Sequence, residues 1–170
     1  MANASIRVHS KSEYTIEVND NGDVITFDVT DTSLTSKYVN AFEKLDGFVK
    51  KYEADVTAID KRKDEPYKTT ETKDYVTGEI ETNTLITKNQ YDIAILTDQF
   101  YKDSRIAMDG FLGRGACQKI FGDKNYFNMF NDLSEQLAPH LKKMGIEAEK
   151  LKTTALKKYA PNREQHRALK

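Results

Sequence analysis

Four of the chain's eight glycines, Gly110, Gly113, Gly115 and Gly122, fall within thirteen positions. Between them stand Phe111, Leu112, Ile120 and Phe121, too apolar a set for a solvated linker. Helical patterns flank the stretch on both sides. A chain with this segment must fold it as a tight connection, in which glycine supplies positive φ or close backbone approach. The expectation is a turn that pins two helices together, with Phe111, Ile120, Phe121, Phe130 and Leu133 buried around it. Gly113, Gly115, Phe121 and Gly122 are its structural centre.

The preceding sequence supplies what the connection joins. Tyr14, Ile16 and Val18, then Ile25, Phe27 and Val29, alternate with polar residues on either side of Asn19-Asp-Asn-Gly22. Period-two alternation about an Asn/Asp/Gly turn predicts a β-hairpin with one apolar face. Ile6 and Val8 allow one short strand before it. Asp31-Thr-Ser33 supplies short oxygen side chains for a helix N-terminus, and a helix is expected from about Leu34 to Lys63. Its apolar residues follow a heptad, with Phe42, Val49 and Val56 in one row and Tyr38, Leu45, Tyr52 and Ile59 in the other. Such a seam packs on its own domain, in an intramolecular helical hairpin, or against another molecule. Leu45, Val49 and Tyr52 are the candidate protein-interaction residues.

Residues 64–90 form a polar, Thr-rich excursion, and loops of that length are usually functional or mobile. Within it Tyr75–Ile86 allows a weak hairpin. A second helix follows from about residue 88 to the glycines. A third, capped by Asp123 or Asn125, should carry Tyr126, Phe130, Leu133, Leu137 and Leu141, with Pro139 kinking or restarting it. The fold expected is α+β, mainly α: an N-terminal β-hairpin packed on about three helices, one of them long. Residues 1–149 are read as a single domain and residues 150–170 as a basic, mobile tail.

Charge and chemistry narrow the function. The net charge is −1, but residues 150–170 hold seven Lys/Arg against Glu164 alone, so the body carries −7. An acidic body with a basic tail lacking interleaved aromatics points to solvent or an acidic protein partner rather than nucleic acid. The lone Cys117 fits a reducing compartment. With no spanning apolar run and no signal-peptide core at the N-terminus, an intracellular location without a membrane partner is expected. Gly113-Arg-Gly115-Ala-Cys-Gln118 lacks the third glycine and the preceding strand of a dinucleotide loop. His9, His140 and His166 have no partner at helical spacing, and no carboxylate pair calls for acid–base work. No catalytic residue, metal ligand or cofactor is assigned.

The order of hairpin, Asp31-Thr-Ser-Leu34, long helix, Phe111-Leu-Gly-Arg-Gly-Ala-Cys-Gln-Lys-Ile-Phe-Gly-Asp123 and Leu133-Ser-Glu-Gln-Leu-Ala-Pro-His-Leu141 resembles the tail assembly chaperones of long-tailed phages and prophages of Gram-positive bacteria. The similarity covers most of residues 14–145. It implies a non-enzymatic chaperone of the host bacterial cytoplasm, bound to the tape-measure protein during tail morphogenesis; the Tyr38–Ile59 seam and the short core separately suggest self-association. The alternative from a different class is a structural virion protein of the tail or connector.

Overall fold

A computed structural model describes residues 12–146. The strand expected at Ile6–Val8 and the basic tail 150–170 lie outside the described residues. Eight elements follow in order: β1 (Glu13–Glu17), β2 (Val24–Asp28), α1 (Leu34–Asp60), β3 (Pro66–Lys73), β4 (Ile80–Thr87), α2 (Lys88–Leu112), α3 (Ala116–Phe121) and α4 (Met129–Lys143). The fold is α+β, with an N-terminal two-stranded hairpin and four helices, of which α1 is the longest. Two compact units share the described residues, 12–44 with 105–146, and 45–104, and the division falls inside α1 and α2.

In the first unit β1 and β2 pair antiparallel, with Tyr14 opposite Phe27 and Ile16 opposite Ile25. Their turn is tied by Asn19, whose Oδ1 accepts from the N–H groups of Asn21 and Asp23 at 3.0 and 3.2 Å. Ile25 and Phe27 are buried, whereas Val29 falls beyond the strand and is exposed. The Phe27 ring meets Phe111 of α2 at 5.5 Å, and Phe111 meets Tyr38 of α1 edge-on at 5.3 Å. Tyr38 in turn lies 4.5 Å from Phe42. The hydrogen bond of 2.9 Å between the Tyr14 hydroxyl and His140 Nδ1 brings in α4. The apolar row of α4, Met129, Phe130, Leu133, Leu137 and Leu141, is buried, and the helix runs through Pro139 without restarting. It begins at Met129, so Tyr126 lies in the loop before it, and neither Asp123 nor Asn125 stands at the cap, which is Asn128.

The N-terminus of α1 forms as its sequence requires. Asp31 Oδ1 accepts from the Ser33 N–H and hydroxyl at 2.9 and 2.6 Å, and Lys37 Nζ reaches Oδ2 at 2.7 Å. The Lys37 ammonium, then Ser33, holds the Asp31 carboxyl down to about 2. A depressed carboxyl contributes its stabilisation above its unfolded pKa and loses it as pH falls toward the folded one. This cap therefore weakens only below about pH 4.

In the second unit α1 and α2 run antiparallel. Tyr52 pairs with Thr97 and Ile59 with Asn89, so the α2 partner falls in number as the α1 residue rises. Thr87 and Gln90 form a reciprocal capping box at the start of α2, with Gln90 N–H donating to Thr87 Oγ1 and Thr87 N–H to Gln90 Oε1. Between the helices lies a hairpin longer than the one expected at Tyr75–Ile86. β3 and β4 are eight residues each and pair antiparallel, and every residue of β3 is exposed. Tyr75 and Val76 stand in the turn, where Asp74 Oδ1 accepts from the N–H groups of Val76 and Thr77. Those bonds, Val76's first, keep the Asp74 carboxyl below its ordinary value.

Candidate functional site

The glycine-rich stretch holds a six-residue helix, α3, and two residues of α2 fix it. Asp109 and Arg105 are four apart and point the same way along α2. The Asp109 carboxylate accepts from Gly115 N–H at 2.9 Å and Cys117 N–H at 2.8 Å. It thus caps α3 from another helix, where Gly115 has no side chain to do so. A carboxylate there also meets the positive end of the α3 dipole. Arg105 binds the other end: Nη1 donates to Gly122 O at 2.9 Å, Nη2 to Lys124 O at 2.6 Å and Nε to Asn125 Oδ1 at 2.9 Å. Its guanidinium also lies 5.7 Å from the Phe121 ring centre. Gly122 is the C-cap, its N–H bonded to Gln118 O.

Gly113 and Gly115 have φ of 104° and 76°. A Cβ on either would meet nothing within 4 Å. Backbone conformation, not close approach, therefore demands glycine at both. The N-terminal hairpin is bolted to the same segment: Asn19 Nδ2 donates to Lys119 O at 2.9 Å, and Lys119 Nζ to Val24 O at 3.1 Å. Cys117 is buried, and burial followed by the nearby Asp109 pushes its thiol well above the ordinary range. A thiol held protonated is a poor nucleophile.

Burial around it differs from expectation. Phe111, Phe130 and Leu133 are buried, but Ile120 and Phe121 are only half-buried. Phe121 packs edge-on against Phe130 at 5.9 Å and Tyr126 at 6.2 Å while its other side meets Arg105 and solvent. Phe121→Ala therefore costs about 2 kcal/mol, below the ~3–5 of a fully buried Phe. Equilibrium unfolding in urea measures it.

The surface with binding character is in the second unit. Leu45 is 1% exposed and belongs to the core. Val49 and Tyr52 are half-buried, with the Tyr52 hydroxyl on Thr97 at 3.0 Å and its ring 5.2 Å from Phe100. Of the three, Tyr52 thus packs on α2. The free apolar surface lies beside them, in an open groove lined by Ala58, Ile59, Tyr91, Ile95 and Leu96. Ile95 is 52% and Tyr91 38% exposed. Asp55 stands at its side and the Arg62–Asp92 ion pair, 2.7 Å, at its end. Tyr67 of β3 stacks on Tyr91 at 4.3 Å and extends the aromatic surface. Among the described residues, no cluster of three or more His, Cys, Asp or Glu could hold a metal ion. No described helix is long and apolar enough to cross a membrane.

The model of DUF6673, a family of unknown function, matches residues 21–170. This chain belongs to that family. No match was found among curated proteins or among solved structures. The DUF6673 match takes in β2, all four helices and the β3–β4 hairpin, and so both the Arg105–Asp109 clamp and the groove. Sequence reading singled out the glycines of the clamp but not Arg105, and the seam of α1 but not Tyr91 or Ile95. The i,i+4 spacing of Arg105 and Asp109 just before the glycines was the available signal. For Tyr91 and Ile95, the signal was a second apolar row on α2 beside the one facing α1.

Proposed function

We propose that this protein is a non-enzymatic phage tail assembly chaperone of the host bacterial cytoplasm that binds the tape-measure protein. The observation that carries the reading is the open groove of the second unit. Two antiparallel helices, with no third helix of that unit over them, present Ala58, Tyr91 and Ile95 to solvent. An amphipathic helix lays its apolar stripe into such a groove with anchors at i, i+3, i+4 and i+7. The resemblance of the Phe111–Asp123 segment to tail assembly chaperones supplies the client: a long helical protein prone to aggregate until the tail tube covers it. The Asp55 carboxylate and the Arg62–Asp92 pair at the groove's rim favour orientation and choice of partner over raw affinity.

Co-expression with the tape-measure protein of the same phage, followed by pull-down, tests the reading. Co-purification with the client and absence from finished particles are expected. Abundance in mature tails, measured by mass spectrometry, would transfer the protein to the structural class. Failure to retain the client in any form would end the proposal. Ile95→Asp provides the site-specific arm: the side chain is half in solvent, so stability changes by roughly 0.5 kcal/mol or less, while client capture falls about tenfold.

A further inference from the structure

Two residues of the β3–β4 turn stand almost wholly in solvent: Tyr75 is 96% and Val76 95% exposed. The turn does not need them. Asp74 and Gly78 build it: Asp74 Oδ1 accepts from the N–H groups of Val76 and Thr77, Asp74 O accepts from Gly78 N–H at 2.8 Å, and Gly78 holds φ at 73°. Gly, Pro, Asn, Asp and Ser are the usual occupants of a turn, so an adjoining tyrosine and valine at its apex are apolar surface with nothing to pack on in their own chain. The bonds beneath them fix the backbone, and an anchor already ordered loses little freedom on binding. The same unit carries a receptor of matching character. The α1–α2 groove has a volume of about 680 Å³, and Ala58, Tyr91, Ile95 and Leu96 make its walls apolar. Asp55 stands at its side and Arg62 at its end. The tip carries charges of the opposite kind, Lys73 at the end of β3 and Glu79 just before β4. A chain's own tip does not fill its own groove, since a side chain 96% exposed touches almost nothing of the chain it belongs to. Tyr67, at the base of the hairpin, stacks on Tyr91, and the strand carries Tyr75 about 25 Å along from Tyr67 at ~3.3 Å per residue.

We propose that two copies of this chain dock reciprocally, the Tyr75–Val76 tip of each seated in the α1–α2 groove of the other, with Lys73 toward Asp55 and Glu79 toward Arg62. The Tyr75 ring then joins the aromatic surface of Tyr91 and Tyr67, where ring pairs add to simple burial. The opposite charges at the rim set the orientation more than the affinity. Two-fold symmetry makes the contact twice. One tyrosine buries only ~150–250 Å², against the ~1,200–2,000 Å² of a stable interface. A single insertion is therefore too small, and the reciprocal pair makes a weak dimer that exchanges readily. Such a dimer keeps the apolar groove covered until a ligand with more apolar area displaces the tip.

The contact does not rest on the chaperone reading; only the displacement of the tip by a client helix does. Sedimentation of the full chain between micromolar and millimolar concentrations should show it moving from 19.4 kDa toward twice that mass. Tyr75→Asp at the tip and Ile95→Asp in the groove should each weaken the dimer about tenfold. Tyr75→Asp should melt with the parent, because the side chain it replaces is in solvent. Thr77→Cys mixed with Ala58→Cys and oxidised with copper–phenanthroline should give a disulfide-linked heterodimer, and Thr77→Cys by itself should not. A dimer that needs both Tyr75 and Ile95 but captures no client would support this inference and end only the chaperone reading. A chain that stays at 19.4 kDa at every concentration would overturn the proposal. So would a dimer indifferent to either substitution, or Thr77→Cys cross-linking alone as readily as in the mixture. Tyr75-dependent flotation with vesicles of phosphatidylcholine and phosphatidylglycerol, by a chain that remains monomeric, would assign the tip to a membrane and overturn it as well.

Discussion

Phe111→Ala lowers the unfolding free energy by about 3–5 kcal/mol, and the melting temperature by roughly 10 °C for a chain of this size. Phe111 is 5% exposed. Its ring touches Phe27 of the β-hairpin and Tyr38 of α1 at once, so truncation removes the contact that joins strand, first helix and second helix. The cavity is walled by Phe27 and Tyr38, themselves 3% and 1% exposed, and neither can collapse into it without leaving its other neighbours. Rigid surroundings place the cost at the upper end for such substitutions. A variant melting within a degree or two of the parent would show that the three elements are held by something else.

Arg105→Ala should cost about 3 kcal/mol, although Arg105 is only half-buried. Hydrogen bonds from a charged donor contribute roughly 1.5–3 kcal/mol apiece before solvent competition. Arg105 makes three at 2.9 Å or less, two of them to the main chain just after α3. With the guanidinium gone, the carbonyls of Gly122 and Lys124 lose their partner and Phe121 loses its cation. Arg105→Lys should recover less than half of the loss. An ammonium on a flexible stem cannot hold three acceptors in the plane that the guanidinium fork matches. Urea denaturation of the two variants side by side measures this, and full rescue by Lys would mean that charge alone, not the fork, secures the connection.

Legibility in the sequence followed burial. The N-terminal hairpin was readable because Ile25 and Phe27 alternate with exposed residues about Asn19–Gly22. The start of α1 was readable because Asp31 and Ser33 are the residues that bond an open helix end. The β3–β4 hairpin was legible only as a weak pairing within a polar excursion. A strand announces itself by alternation only when one face is buried, and β3 is exposed on both faces. α3 was hidden for a different reason: six residues are fewer than two turns, too short for a periodic stripe, and its cap comes from Asp109 rather than from the residue before it. The glycine spacing showed that a tight connection was needed, but not that Arg105 and Asp109 hold it. Those bonds are tertiary, and Arg105 and Asp109 look like any solvated pair on a helix. The seam of α1 was visible as a heptad, yet periodicity cannot say whether the facing helix is its own chain's. Here α2 supplies it for Tyr52 and Ile59, and the surface left over is the groove at Tyr91 and Ile95.

The central claim is that this groove receives a helix of the tape-measure protein. Amide hydrogen exchange of the full chain, recorded with and without that protein, addresses it most directly, because a docked helix slows local opening of the elements that it covers. The account predicts slower exchange across 55–62 and 91–96 on addition of the client, and no such slowing in Ile95→Asp. Unchanged exchange in both segments with the client demonstrably bound, or slowing confined to the first unit, would contradict it.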